Sequence, residues 1–119
     1  MRSFILLLSL VALMACGRNQ DAKIDLVAKS IHEGSTEESV IQFAVAQGWH
    51  NERFPKTEEY GKFSSQDYAY FLRVYDKSRP KDFELLIAFD STGKVINGGI
   101  TIYYLPLIGE KTRVTLGSR

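Results

Sequence analysis

Between Asp21 and Glu33 the apolar residues Ile24, Val27, Ala28 and Ile31 recur at the three- and four-residue spacing that lines one face of a helix. Asn19 or Asp21 can cap the start of this helix, and Gly34 can close its end. The stretch STEESVIQFAVAQGW repeats the pattern more clearly, with Val40, Ile41, Ala44 and Val45 in one stripe and Phe43 at its edge. Ser35, followed three residues later by Glu38, makes a capping box in which each side chain satisfies an amide that the first helical turn leaves unpaired. Glu37 and Glu38 in that turn oppose the positive end of the helix dipole. Gly48 suits the left-handed position after the last turn, which folds Trp49 back toward Ala44.

The segment HNERFPKTEEYGKFSSQ holds no sustained period and is longer than the usual connection of about 4 to 6 residues. Its aromatic residues Phe54, Tyr60 and Phe63 leave two readings open, a packed loop or a loop that hides a short strand. From Asp67 the period becomes two. Tyr68, Tyr70, Leu72 and Val74 share one face of a strand, and Ala69, Phe71, Arg73 and Tyr75 the other. After a turn through KSRPKD, the residues Phe83, Leu85, Ile87 and Phe89 alternate with Glu84, Leu86, Ala88 and Asp90. Asp90 to Lys94 make a tight connection in which Gly93 can take positive φ. A third strand runs from Val95 to Leu105, with Ile96, Ile100, Ile102 and Tyr104 on one side and a bulge or bend at Gly98-Gly99. Pro106 stops it, and Thr112 to Leu116 add an edge strand if the tail pairs. This order predicts an α+β fold, two N-terminal helices packed on a three-stranded (or four-stranded) antiparallel meander in a two-layer sandwich.

Composition adds bounds. The chain has 119 residues, room for one small domain, and 15 Lys and Arg against 14 Asp and Glu. Nucleic-acid binders carry a clear basic excess, so this balance gives no support for one. A domain this small buries only about 60% of its unfolded surface, and seven Phe, six Tyr and one Trp must supply much of the core. The single cysteine cannot form an intramolecular disulfide.

That cysteine follows a leader. Arg2 opens a short positive region, and Phe4 to Met14 are uninterruptedly apolar or small. Such a stretch spans about 16 Å as a helix against about 30 Å for a bilayer core, which fits the hydrophobic region of a secretory signal. Leu13-Met14-Ala15-Cys16 resembles the lipobox of bacterial lipoproteins, with Met14 a less usual residue at its position. That resemblance implies cleavage after Ala15 and a diacylglyceryl group on the Cys16 thiol, with further acylation making a stable anchor. The competing reading is an ordinary signal peptide with an incidental cysteine near its end. The resulting division is a signal peptide over 1–15, a lipidated tether over 16–20 and one α+β domain over 21–119. Gly17 stands after the cysteine where an aspartate would mark retention in enterobacterial lipoproteins, which implies the inner leaflet of the outer membrane, facing the periplasm.

Residues Gly34 to Val40, GSTEESV, resemble the helix start of the SmpA/OmlA (BamE-like) outer-membrane lipoprotein family, and FDSTGKV resembles its second hairpin. The resemblance covers about residues 31–104 and implies a small periplasmic scaffold bound to larger envelope proteins. The family's Gly-x-Pro turn after the second helix is replaced here by GWHNERFP.

No nucleophile, base and orienting group stand together in the sequence, so no catalytic residue is expected. His32, Glu33, His50 and Glu52 carry metal-ligating chemistry, but no fixed spacing joins them, and no metal or other cofactor is expected beyond the lipid on Cys16. Arg73, Lys77, Arg79 and Lys81 gather around the first hairpin turn, as a solvated turn that protects the sheet edge or as a contact for lipid phosphates or an acidic partner. Tyrosine and arginine are favoured interface anchors, so Phe71, Arg73, Tyr75 and Tyr103, with Arg79 in the hairpin turn, are the candidate partner-binding residues, and the open sheet face or its edge is the docking surface. The leading expectation is a non-enzymatic, lipid-anchored envelope domain that binds another envelope protein. An inhibitor or immunity-type lipoprotein acting on a periplasmic hydrolase or toxin is the alternative. A lipid or small-molecule carrier is a third class that the chain is too small to favour, and no small-molecule substrate is expected.

Overall fold

Helix α1, Asn19–Ser30, leads directly into a turn and then helix α2, Glu37–Ala46. Five strands follow: β1 His50–Pro55, β2 Tyr70–Tyr75, β3 Phe83–Phe89, β4 Val95–Tyr104 and β5 Thr112–Leu116. All neighbours are antiparallel and in chain order, a five-stranded meander with both helices on one face. This arrangement is a computed structural model, which describes residues 19–56, 67–106 and 109–116. The leader, Cys16 and its lipobox, and Tyr60 and Phe63 lie outside the described residues.

The α+β architecture is as expected, but the sheet has five strands rather than three or four. The tail does pair, through Thr112 to Leu116 against β4. The further strand is β1, which forms from the polar segment after Trp49, the short strand that is one of the two readings of that stretch, and joins β2 from His50↔Tyr75 to Pro55↔Tyr70. As an edge strand with one polar neighbour row it needs no apolar alternation, so its period was hidden.

The start of α2 corrects the expected cap. Thr36, not Ser35, is the N-cap: its φ is −79° and ψ 154°, and its Oγ1 accepts from the Ser39 amide at 3.2 Å. Ser35 instead turns back, its Oγ accepting from the His32 amide at 3.0 Å. The turn that joins the helices is also pinned to the sheet. Gly34 donates to the Val95 carbonyl, Val95 donates to Ser35, and Glu37 donates to Gly93. Gly34 lies at the third position of the His32–Ser35 turn with φ 88°, beyond the end of α1 rather than directly capping it. At the other end of α2 the expectation holds in detail. Gly48 has φ 75°, its amide donates to Val45, and Trp49 donates to Ala44 at 2.9 Å, the paired bonds of a Schellman motif. That brings Trp49 onto Phe83, ring centroids 5.5 Å apart, with Phe43 edge-on at 5.7 Å.

The main core lies between helices and sheet: Val27, Ile31, Val40 and Ala44 above, Leu72, Val74, Leu85, Ile87, Phe89, Ile100 and Ile102 below. Val45, placed in the stripe by spacing, is instead 64% exposed. Strand β4 carries the bulge expected at its glycines. Ile87 pairs with Ile100 and Phe89 with Val95, so the single residue Ala88 faces residues 96–99. Gly98 takes φ 67° there. The inserted residues break the alternation, so Ile96 packs on the face away from the helices while Ile100 and Ile102 stay beneath them. This overturns the expected grouping of Ile96 with Ile100. Tyr68 moves likewise, because the bend at Ala69 separates it from the β2 alternation.

Candidate functional site: the outer face of the sheet

Antiparallel pairing places directly opposed residues on the same face, so the registers define rows across the side away from the helices. One row runs His50, Tyr75, Glu84, Tyr103 and Arg113, and the next runs Glu52, Arg73, Leu86, Thr101 and Thr115. Phe54, Phe71 and Ala88 form a third row toward the β4 bulge.

That third row is a small second core. Phe71 stacks on Phe54 with centroids 5.3 Å apart and planes 15° apart, and Tyr68, Leu86 and Ile96 close around them. Phe71 is therefore only 1% exposed. The expectation that it anchors a partner from an open face is corrected by β1, which supplies Phe54, and by the bulge, which supplies Ile96.

The other end of the face is polar and half-buried, and Glu52 is its centre. Its Oε1 accepts a hydrogen bond from the Tyr75 hydroxyl at 3.2 Å and lies 3.0 Å from His50 Nε2. Its Oε2 lies 4.0 Å from Arg73 Nη1. Arg73 Nε donates to Glu84 Oε1 at 2.8 Å, and its guanidinium sits over the Tyr75 ring, 4.3 Å from the centroid. His50 meets the same ring edge-on at 5.1 Å. The hydrogen bond with His50, aided by that from Tyr75, holds the Glu52 carboxyl below its ordinary range against the opposing effect of burial. Burial and the Glu52 carboxylate together push the Tyr75 hydroxyl up. Burial works against the charge on Arg73, but the hydrogen bond and charge of Glu84 outweigh it and raise its pKa.

Compared with protein-family models, with curated proteins and with solved structures, the chain matches none. The chemistry of this face is thus read from its own geometry. Of the residues singled out in the sequence, Arg73, Tyr75 and Tyr103 share the polar end, with Tyr103 also packed against the second core. Arg79 does not join them. It stands exposed in the β2–β3 turn, where Ser78, ahead of the nearby charges of Lys23 and Arg79, lowers the Asp76 pKa.

His50, Glu52 and Glu84 are members that the partner-binding expectation omitted. For His50 and Glu52 the signal was their alternation with Phe54, weak because two of the three are polar, and for Glu84 it was its place in the alternation of β3. The metal grouping separates as well. His50 and Glu52 are neighbours here, whereas His32 and Glu33 line a groove beside Ile100 and Leu116. Among the described residues no three of His, Cys, Asp and Glu gather as a metal would require.

The patch can offer hydrogen-bond donors and acceptors on a rigid platform, with aromatic rings already held by cation–π and edge contacts. Balanced charge within it suits recognition of a mixed polar surface rather than of a polyanion. No helix among the described residues is long and apolar enough to cross a membrane.

Proposed function

We propose that this chain is a non-enzymatic, lipid-anchored accessory domain of the bacterial envelope, held through Cys16 at the periplasmic side of the outer membrane, which docks another envelope protein on the polar end of its outer sheet face. The motif resemblance to SmpA/OmlA lipoproteins belongs to the same reading. The observation that carries it is the half-buried cluster of Arg73, Tyr75 and Tyr103 around Glu52 and Glu84. Arginine and tyrosine dominate interface energetics because they bring large apolar area with a directional polar group and lose little freedom when already positioned. Helices cover the opposite face, so this side is where the sheet meets its surroundings.

Two measurements test the reading. Palmitate incorporation into the wild type should vanish in Cys16→Ser, and unchanged labelling would remove the anchor. A photoreactive residue at Tyr103 should trap an envelope protein in intact cells, and Arg73→Ala should lose that product while retaining the fold. Recovery of an outer-membrane assembly protein supports the accessory role. Recovery of a hydrolase alone would replace it with the inhibitor role, and absence of any adduct counts against both.

A further inference from the structure

The sheet ends on β5, and among the described residues nothing bonds to the outer backbone edge of that strand. Exposed edges are normally blunted by proline, by bulges or by inward charges. Strand β5 reads Thr-Arg-Val-Thr-Leu and has none of these apart from Arg113 on its outer face. The opposite edge differs, because β1 ends on Pro55 and packs against α2.

Beside β5, on the helix side, lies an incompletely enclosed groove of about 160 Å³. Ala28, Ile31, His32 and Glu33 form its upper wall, and Ile100 and Leu116 part of its floor. An apolar cavity of ~150 Å³ accommodates a benzene-sized group, so a leucyl side chain fits. Charge adds direction. Lys111 and Arg113 stand exposed along the edge, with the acid Glu110 next to Lys111 in the chain. An edge strand with a neighbouring side-chain pocket is the arrangement by which sheets bind extended peptides: main-chain bonds supply affinity and pockets supply specificity.

We propose that β5 and this groove take an extended segment of a partner protein, added antiparallel as a further strand, with an aliphatic side chain in the groove opposite Leu116 and a carboxylate three residues later beside Arg113. The spacing follows from the register. Leu116 faces the helices and Arg113 the outer face, so residues opposite them on an antiparallel strand are three apart and point to opposite sides. The strand edge and groove lie outside the Glu52 cluster, meeting its face at Arg113 opposite Tyr103, and need no lipid, so peptide binding at β5 stands or falls apart from the docking reading above.

The test titrates the full-length protein in detergent micelles with the blocked peptide acetyl-Thr-Leu-Thr-Val-Glu-Thr-amide, followed by amide chemical shifts and hydrogen exchange. The expected result is shift changes at Leu116 and Ile31 and slowed exchange at alternate β5 amides. Replacing the peptide's Leu with Asp should weaken binding by about tenfold or more. Arg113→Glu should reverse the preference between peptides carrying Glu and Lys. Ala28→Phe, at an exposed position on the groove wall, should abolish the Leu preference while the amide spectrum reports an intact fold. Absence of shifts at β5, equal binding of Leu and Asp peptides, or self-association through β5 in place of peptide binding would each overturn the proposal.

Discussion

Replacing Gly99 with alanine should destabilise the protein through crowding, not through backbone strain. Gly99 is absent from the residues with positive φ, unlike Gly98 at 67°, so no left-handed conformation bars a side chain there. Its surroundings are not. A Cβ on Gly99 would lie 2.7 Å from Ile96 Cγ1 and 3.0 Å from the carbonyl oxygens of Ala88 and Ile96. The isoleucine could rotate, but the carbonyls belong to the bulge and to β3, and moving them disturbs the ladder. Overpacking of this kind costs about 1–3 kcal/mol. At ~4–8 °C of Tm per kcal/mol in a domain of this size, a loss of about 2 kcal/mol lowers Tm by roughly 8–16 °C. Urea unfolding of the protein, followed by fluorescence of Trp49, measures it. That residue is the only tryptophan and is 9% exposed, so its emission reports the main core. A double-mutant cycle locates the cause. Ile96→Ala should cost less in the Gly99→Ala background than alone, with a coupling of at least ~0.5 kcal/mol. Gly99→Ala within ~0.5 kcal/mol of wild type, or an additive cycle, would show that β4 does not double back on Ala88 as closely as described.

Thr36→Ala should cost about 1 kcal/mol in the same urea assay and more than Ser35→Ala, because the Thr36 hydroxyl holds the Ser39 amide. The Asp90 carboxylate is held below its ordinary pKa, first by the Thr92 hydroxyl and then by the Lys94 amide, so its contribution is present above about pH 4 and lost as pH falls through the lowered folded value. The stability difference between wild type and Asp90→Asn should therefore shrink as the solution is acidified through that window, and a constant difference would refute it. Burial, with the Glu37 carboxylate beside it, pushes the Tyr70 hydroxyl up to about 12. An ultraviolet alkaline titration should show the last tyrosine to ionise doing so well after the usual range near 10, later than the also raised Tyr75, and Tyr70→Phe should remove that last step. Stability tied to that neutral hydroxyl is complete below about pH 10 and declines as pH rises toward the folded value.

The legible parts of the fold were those whose cause lies within a few residues. The Gly48 end of α2 follows from one glycine and the amides around it. The Asp90 hairpin follows from a side chain that reaches the Thr92 and Lys94 amides and from Gly93 at φ 82°. The bulge was visible as two glycines in a strand pattern, but its consequence was not. How many residues β4 gains, and hence which way Ile96 points, depends on where β3 resumes pairing at Phe89.

The candidate site shows the same division more sharply. Alternation in β2 put Phe71, Arg73 and Tyr75 on one face, and that held. Phe71 nevertheless lies under Phe54, Tyr68 and Ile96, which come from β1, from the bend before β2 and from the bulge in β4. The bond from Arg73 to Glu84 and the gathering of His50 and Tyr75 on Glu52 join residues as many as 23 positions apart.

By itself, then, the sequence determined the two helices, strands β2 to β4, the α+β order and the two places where the backbone needs glycine after α2 and in the Asp90 turn, because period and turns act between near neighbours. The tertiary structure decided that a polar edge segment becomes β1, that Phe71 is buried while Tyr75 stays half-exposed, and that β5 ends the sheet beside an apolar groove. Those outcomes depend on pairing register and on which distant side chains close over a face, and no local pattern carries that information.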